Sequence, residues 1–212
     1  MTDYKFVDIE IEGVTPLIQH KFSDHSEVEG QKPTRRSLVG PKIPRDEAEK
    51  NAYRTVDGEI YHPGAAISRL LREAGSQHKL KGSRKAVKYL VPAAVLMQDD
   101  NILVRDKNGK VLKNFEIDAR SVVIPSTKGR IMCWRPRHDV WTMRFRLRIN
   151  ESVLPCGLIH DLLVQGGEQI GIGDFRPEKG GPFGTFRITK WKEDKEPKKE
   201  IDRGQVHDAA AE

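Results

Sequence analysis

The chain has 212 residues, 37% hydrophobic and 32% charged, with a formal net charge of +6. That length suits one domain with a core of its own, and no apolar run approaches the ~20 residues that span a bilayer. The absence of a basic-then-apolar leader pattern, and two cysteines (Cys133 and Cys156) without disulfide or metal spacing, point to a reducing cytoplasm.

In chain order, "YKFVDIEIEG" (4–13) alternates Val7, Ile9 and Ile11 against Phe6, Asp8, Glu10 and Glu12, the period of a strand. Residues 14–60 then form a long polar connection punctuated by Pro and Gly, a type that is functional or mobile when it lies inside a domain. "HPGAAISRLLREAGSQHK" reads as a helix opening at Pro63, with a stripe of Ala66, Ile67, Leu70, Leu71 and Ala74 and with Arg69 and Arg72 at its edge or outside. "YLVPAAVLM" (89–97) reads as a buried strand. A hairpin turns at Asn108-Gly109, and "ARSVVIP" and "GRIMCW" are strand pieces joined by a Ser-Thr-Lys-Gly turn. "WTMRFRLRI" (141–149) puts Trp141, Met143, Phe145, Leu147 and Ile149 on one face and Arg144, Arg146 and Arg148 on the other. "PCGLIHDLLVQGGEQIG" is a second helix, and "GTFRITKW" (184–191) is the last strand.

Without its insertions this order is β-α-β-β-α-β, which predicts an α+β fold of ferredoxin-like (RRM-like) type: an antiparallel sheet, two helices on one face, a long loop insertion and a β-hairpin insertion. The domain is expected over residues 1–191. The charged segment 192–212 has almost no apolar content and reads as disordered.

That segment holds five Lys/Arg against seven Asp/Glu, so residues 1–191 keep 32 basic against 24 acidic side chains. The excess is concentrated in 119–148, where eight Lys/Arg, Arg135 and Arg137 among them, meet one acid, Asp139. A basic stretch of one sign, interleaved with aromatics, suits a polyanion. Arg144, Arg146 and Arg148, standing on one face of a strand, present a row of forked donors for successive phosphates. The competing reading pairs them with Glu116 and Asp118 on a neighbouring strand.

Two stretches carry a resemblance. The helix opening Pro63, Gly64, Ala65, Ala66, Ile67, with Arg72 beyond, and the loop "GIGDFRPEKGGPFGTF" (171–186) resemble the RAMP superfamily, in particular the single-domain backbone subunit of CRISPR effector complexes. Where that family usually carries a base after the aliphatic residue, this chain has Ser68 and then Arg69. The resemblance implies single-stranded RNA bound along the core, head-to-tail copies on one guide strand and other effector subunits as partners, in an antiviral ribonucleoprotein. Single-stranded DNA is the alternative ligand.

In the loop, Gly171, Gly173, Gly180 and Gly181 are expected to bring backbone N–H groups to phosphates. Arg176 and Lys179 would add charge, and Phe175 or Phe183 would stack on a base. The competing reading makes the loop a packing device. Neither a cofactor nor a metal is expected. Asp24 and His25, in the cluster "HKFSDHSE", are weak candidates for catalysis, and His62 and His138 read as structural residues or phosphate contacts. Two further classes stay open: a RAMP-type endoribonuclease that processes guide precursors, and a mimic of the backbone subunit acting as a protein-interaction module.

Overall fold

The structure is a computed structural model that describes residues 3–21, 43–82, 84–123 and 129–194. Its elements in chain order are β1 (Tyr4–Gly13), β2 (Leu17–Ile18), α1 (Pro44–Lys50), β3 (Tyr61–Pro63), α2 (Ala65–Ala74), α3 (Val91–Ala94), β4 (Val95–Met97), β5 (Asn101–Arg105), β6 (Glu116–Val123), β7 (Arg130–His138), β8 (Thr142–Asn150), α4 (Cys156–Gln169) and β9 (Phe186–Asp194).

Alternation along β1 and β8 fixes the main sheet. Val7, Ile9 and Ile11 on β1 and Met143, Phe145, Leu147 and Ile149 on β8 are all buried and share one core with Ile67, Leu70 and Leu71 of α2 and Ile159, Leu162 and Leu163 of α4. The two strands pair antiparallel, Ile9 opposite Phe145. The strand order is β3-β5-β8-β1-β9, with β4 also pairing β8. Burying about ten aliphatic side chains between one sheet face and two helices, each worth ~1.5–3 kcal/mol, is the main stabilising term of this layer.

Gly166 and Gly167 let α4 lie close to its neighbours, since a Cβ at Gly166 would overlap the Leu70 side chain and one at Gly167 would fall 2.6 Å from the Phe186 carbonyl oxygen. A second sheet has the order β2-β7-β6, and around the expected turn at Asn108-Gly109 the chain makes an isolated bridge between Arg105 and Val111. The structure is therefore α+β with antiparallel sheets. Among the described residues, no helix is long and apolar enough to cross a membrane.

Four expectations change. The stretch 89–97 is not one strand: Pro92 lies in the helical turn α3, and only Val95–Met97 joins the sheet. A proline cannot donate to a ladder, and this one sits where it is tolerated, in the first helical turn. The long connection contains β2 and α1, which its irregular pattern does not announce. The first strand pairs with β8, so the acids facing the arginine row come from β1, and Glu116 and Asp118 lie in the other sheet. The last strand runs to Asp194, three residues into the segment expected to be disordered. Residues from 195 onward, and most of the Ser-Thr-Lys-Gly turn, lie outside the described residues.

A candidate nucleic-acid interface

The arginine row is not a free surface. On the open face of the main sheet, β1 lies between β8 and β9, so its acids meet bases on both sides. Asp8 sits opposite Arg146 and Lys192, Glu10 opposite Arg144 and Lys190, and Glu12 opposite Arg187. Arg144 donates to Glu10 at 3.0 Å, Arg146 lies 3.1 Å from Asp8, and Arg187 donates to Glu12 at 2.8 Å. Arg146 is itself 4% exposed, and Arg148 stands over the Tyr4 ring at 4.7 Å. The pairing reading holds for this row, with partners other than those expected.

Arg135 is also withdrawn. It is 3% exposed, donating to Asp118 at 2.9 Å and to Asp174 at 2.5 Å. Removing a buried guanidinium from water is costly, and the two carboxylates offset that cost. Arg137 is held by Asp139 at 2.5 Å.

The glycine-rich loop spends most of its N–H groups on itself and its neighbours. Ile172 donates to the Gly184 carbonyl, Asp174 to Ile18, Gly180 to Pro177, Gly181 to Arg176, Phe183 to Phe175 and Gly184 to Pro16. A Cβ at Gly173, Gly181 or Gly184 would overlap the carbonyl oxygen of Ile18, Phe175 or Ile172 respectively. These glycines allow close approach of backbone to backbone, and of the N–H groups expected at phosphates those of Gly171, Gly180 and Gly181 donate to the Gly166, Pro177 and Arg176 carbonyls. Phe183 is 6% exposed, with Arg120 over its ring at 4.6 Å, so it offers no face to a base. Phe175 stays half-buried.

What the loop does is close one side of a cleft of about 460 Å3 whose other side is the start of α2. Its lining includes His20, Tyr53, His62, Arg69, Asp174 and Arg176. Both stretches singled out in the sequence, Pro63–Arg69 and Gly171–Arg176, thus border one cavity.

Arg69 and Arg176 share Glu178, Arg69 through Nη2 at 2.5 Å and Arg176 through Nε at 3.0 Å and Nη2 at 2.8 Å. One carboxylate thus lies between two guanidinium groups; burial pushes the Glu178 pKa up, and the two arginines outweigh it and hold the pKa below the ordinary value. Arg69 has no partner for Nε and Nη1 among the described residues. The first turn of α2 opens at the cleft with Ala65 and Ala66, where helical N–H groups lack intrahelical acceptors. His62 lies at the foot of the cleft, 4% exposed, with its Nδ1 buried and unpartnered among the described residues. Burial, reinforced by His138 and Arg176, pulls its pKa down to about 4, so it is neutral near pH 7.

His20, exposed at the rim, places Nδ1 3.2 Å from Asp174 Oδ2. The bond to His20 holds the Asp174 carboxyl well below the usual carboxylate range, against the opposing effect of burial, with Arg135 adding to it. Sequence reasoning misses this pair. The local cluster groups His20 with Asp24, and no local signal links His20 to a residue 154 positions away. Arg72 and Lys179 are exposed near the two ends of the site's elements. Asp24 and His25 lie outside the described residues.

Comparison with known proteins gives little. No family model and no curated protein matches the chain. Among solved structures it is similar to Cmr6 from Pyrococcus furiosus, at 12% identity and a TM-score of 0.45 over 88% of this chain and 99% of that one. A likeness that loose carries no argument about this protein.

Proposed function

We propose that this protein is a RAMP-type subunit of a CRISPR-like ribonucleoprotein that holds single-stranded RNA in the cleft between α2 and the glycine-rich loop. The observation that carries this reading is the meeting of the two resembling stretches on one cleft, where Arg69 keeps Nε and Nη1 without a partner among the described residues. A ferredoxin-like core agrees with it: β9, β1 and β8 lie side by side, with β4 and β5 both pairing β8, and α2 and α4 share the core behind them. In this reading Arg69 and Arg176 face phosphates, Arg72 and Lys179 extend the track, and Phe175 stacks on a base. Successive copies sit head to tail on one strand, as heterologous contacts allow, beside other effector subunits.

The test is binding of labelled single-stranded RNA across a salt series. On a single strand, the slope of log affinity against log salt flattens by ~0.7 for each phosphate that is no longer neutralised. Arg69→Ala with Arg176→Ala should weaken binding and flatten the slope by about 1.4. An unchanged slope in the folded double variant overturns the site. Longer RNA should bring stepwise growth on a sizing column, and one copy at every length overturns the backbone role. A DNA strand of the same sequence separates RNA from DNA as the ligand.

A further inference from the structure

β9 is the outermost strand of the main sheet: β1 pairs one of its edges, and among the described residues no strand pairs the other. A free edge nine residues long presents backbone donors and acceptors to any passing chain, and native sheets cover or blunt such edges. Beside this edge lies a groove of about 360 Å3 between β9 and α4. Val164, Ile188 and Trp191 give it an apolar lining, and the His160 ring stands edge-on to the Trp191 indole at 4.9 Å. The two faces of β9 differ. On the helix side Trp191 lies opposite Ile9 and Glu193 opposite Val7, whereas on the open face Lys190 and Lys192 lie opposite Glu10 and Asp8. Both lysines are exposed, with an acid-bearing strand on one side only.

From Asp194 the chain continues with "KEPKKEIDRG" (195–204). Its one aliphatic residue is Ile201, too little to build a core of its own. Turned back on β9 through Asp194–Lys198, a five-residue connection of a length that joins hairpins, it falls into one register that suits every pair. Lys199 then stands opposite Glu193, Glu200 opposite Lys192, Ile201 opposite Trp191 and Asp202 opposite Lys190. We infer that residues 199–202 close on the free edge of β9 as a further antiparallel strand, with Ile201 set in the groove against α4. This holds whatever the cleft binds.

Charge and apolar pattern together single out this register. On the open face, Arg144 and Arg146 of β8 face Glu10 and Asp8 of β1, which in turn face Lys190 and Lys192. Glu200 and Asp202 supply the next row of acids. Opposite charges directly across a strand pair stabilise it, and like charges oppose it. On the helix side the one aliphatic residue meets the apolar groove. A slip of one residue turns every side chain to the wrong face, and a slip of two sets Ile201 against Glu193 or Lys199 against Trp191. The regular part of β9 also ends where the segment does. The register of β1 and β9 shifts between Glu10 and Ile11, leaving Thr189 with no opposite residue on β1. Arg203 falls opposite Thr189, and Gly204 follows it. Pro197, which has no N–H to give, lies in the connection and not in the ladder. With the edge covered, β9 no longer templates pairing with another chain.

The experiment uses the full chain without nucleic acid. Hydrogen exchange should be slowed about ten-fold or more at the amides of 199–202, relative to a synthetic peptide of residues 195–212. Ile201→Asp, and separately Glu200→Lys with Asp202→Lys, should each return exchange there to the rate of the peptide, with melting curves confirming that the core is intact. A cysteine pair reads the register. Lys192→Cys with Glu200→Cys should close an intrachain disulfide under mild oxidation, identified by peptide mapping, about ten times faster than Lys192→Cys with Ile201→Cys. Directly opposite residues stand within disulfide reach, and the next residue points to the other face. Exchange at the rate of the peptide in the wild type overturns the inference, as does protection that survives both variants or equal closure of the two cysteine pairs. A 192–200 disulfide that forms between chains and not within one also overturns it, since a second copy's segment then occupies the edge.

Discussion

His62 and His138 are 4% and 3% exposed, and burial pulls the pKa of each down to about 4, helped at His138 by the Arg54 charge. In an unfolded chain they would take up protons near pH 6.5. Between those values the unfolded state binds more protons, so stability falls as pH falls from about 6.5 to about 4. The slope is at most ~1.4 kcal/mol per pH unit for each histidine. Asp174 acts in a separate window: its depressed carboxyl contributes stability that is present above the unfolded value of about 4 and is lost below it. Urea unfolding followed from pH 7 to pH 5 should therefore show a falling midpoint. His138→Gln should flatten that fall even where it lowers the midpoint at pH 7. An equal slope in the variant would mean that His138 is protonated in the native state. Sequence alone reads both histidines as structural residues or phosphate contacts. Their burial is not legible there, because it comes from Tyr53 edge-on to His62 and Phe115 edge-on to His138, contacts made across the fold rather than within one element.

At the scale of elements, the glycine-rich loop shows how one composition serves different ends. Gly184 has φ +73 and faces the Ile172 carbonyl oxygen where a Cβ would stand, while Gly180 has φ +75 with nothing within 4 Å. Gly184→Ala must then move backbone, and we expect it to cost about 2–4 kcal/mol, within the range of strongly disruptive single changes. Gly180→Asn meets only the left-handed backbone, which asparagine tolerates, and should cost under about 1 kcal/mol. Thermal melts of the two variants check this, and equal losses would remove the distinction. The sequence makes the loop visible, and the order of strands and helices too, because alternation and helical stripes are local patterns. It does not reveal which N–H groups the loop keeps for itself. Those depend on Pro16 and Ile18 of the opposite segment, and nothing in the loop's own residues encodes that approach. The same limit hides β2, two residues long, and makes a single strand of 89–97, which Pro92 in fact interrupts.

Across the whole molecule, the arginines of both surfaces are engaged by acids: on the sheet face Asp8, Glu10 and Glu12 of β1 stand among Arg144, Arg146, Arg187, Lys190 and Lys192, and in the cleft Arg69 and Arg176 meet Glu178. On the sheet face the central row of acids on β1 separates two rows of bases on β8 and β9, an arrangement that a count of charge along 119–148 cannot reveal. The pairs are largely exposed, Arg144 at 56% and Arg187 at 68% of the side chain, against 23% for Glu10 and 27% for Glu12. Exposed pairs of this kind contribute roughly 0–1 kcal/mol each, so their acids serve less to hold the fold than to mask the arginines. Glu10→Gln with Glu12→Gln should leave the melting temperature within a few degrees of wild type and release two guanidinium groups toward solvent. The sheet face would then become a second polyanion surface. RNA affinity at low salt should rise, and the salt slope should steepen by up to about 1.4 as two further phosphates are engaged. Arg144→Ala in the wild-type background should change neither, since that arginine is already spent on Glu10. If Arg144→Ala alone flattens the slope, RNA crosses the open face of the sheet in the native protein, and the cleft is not where the strand is held.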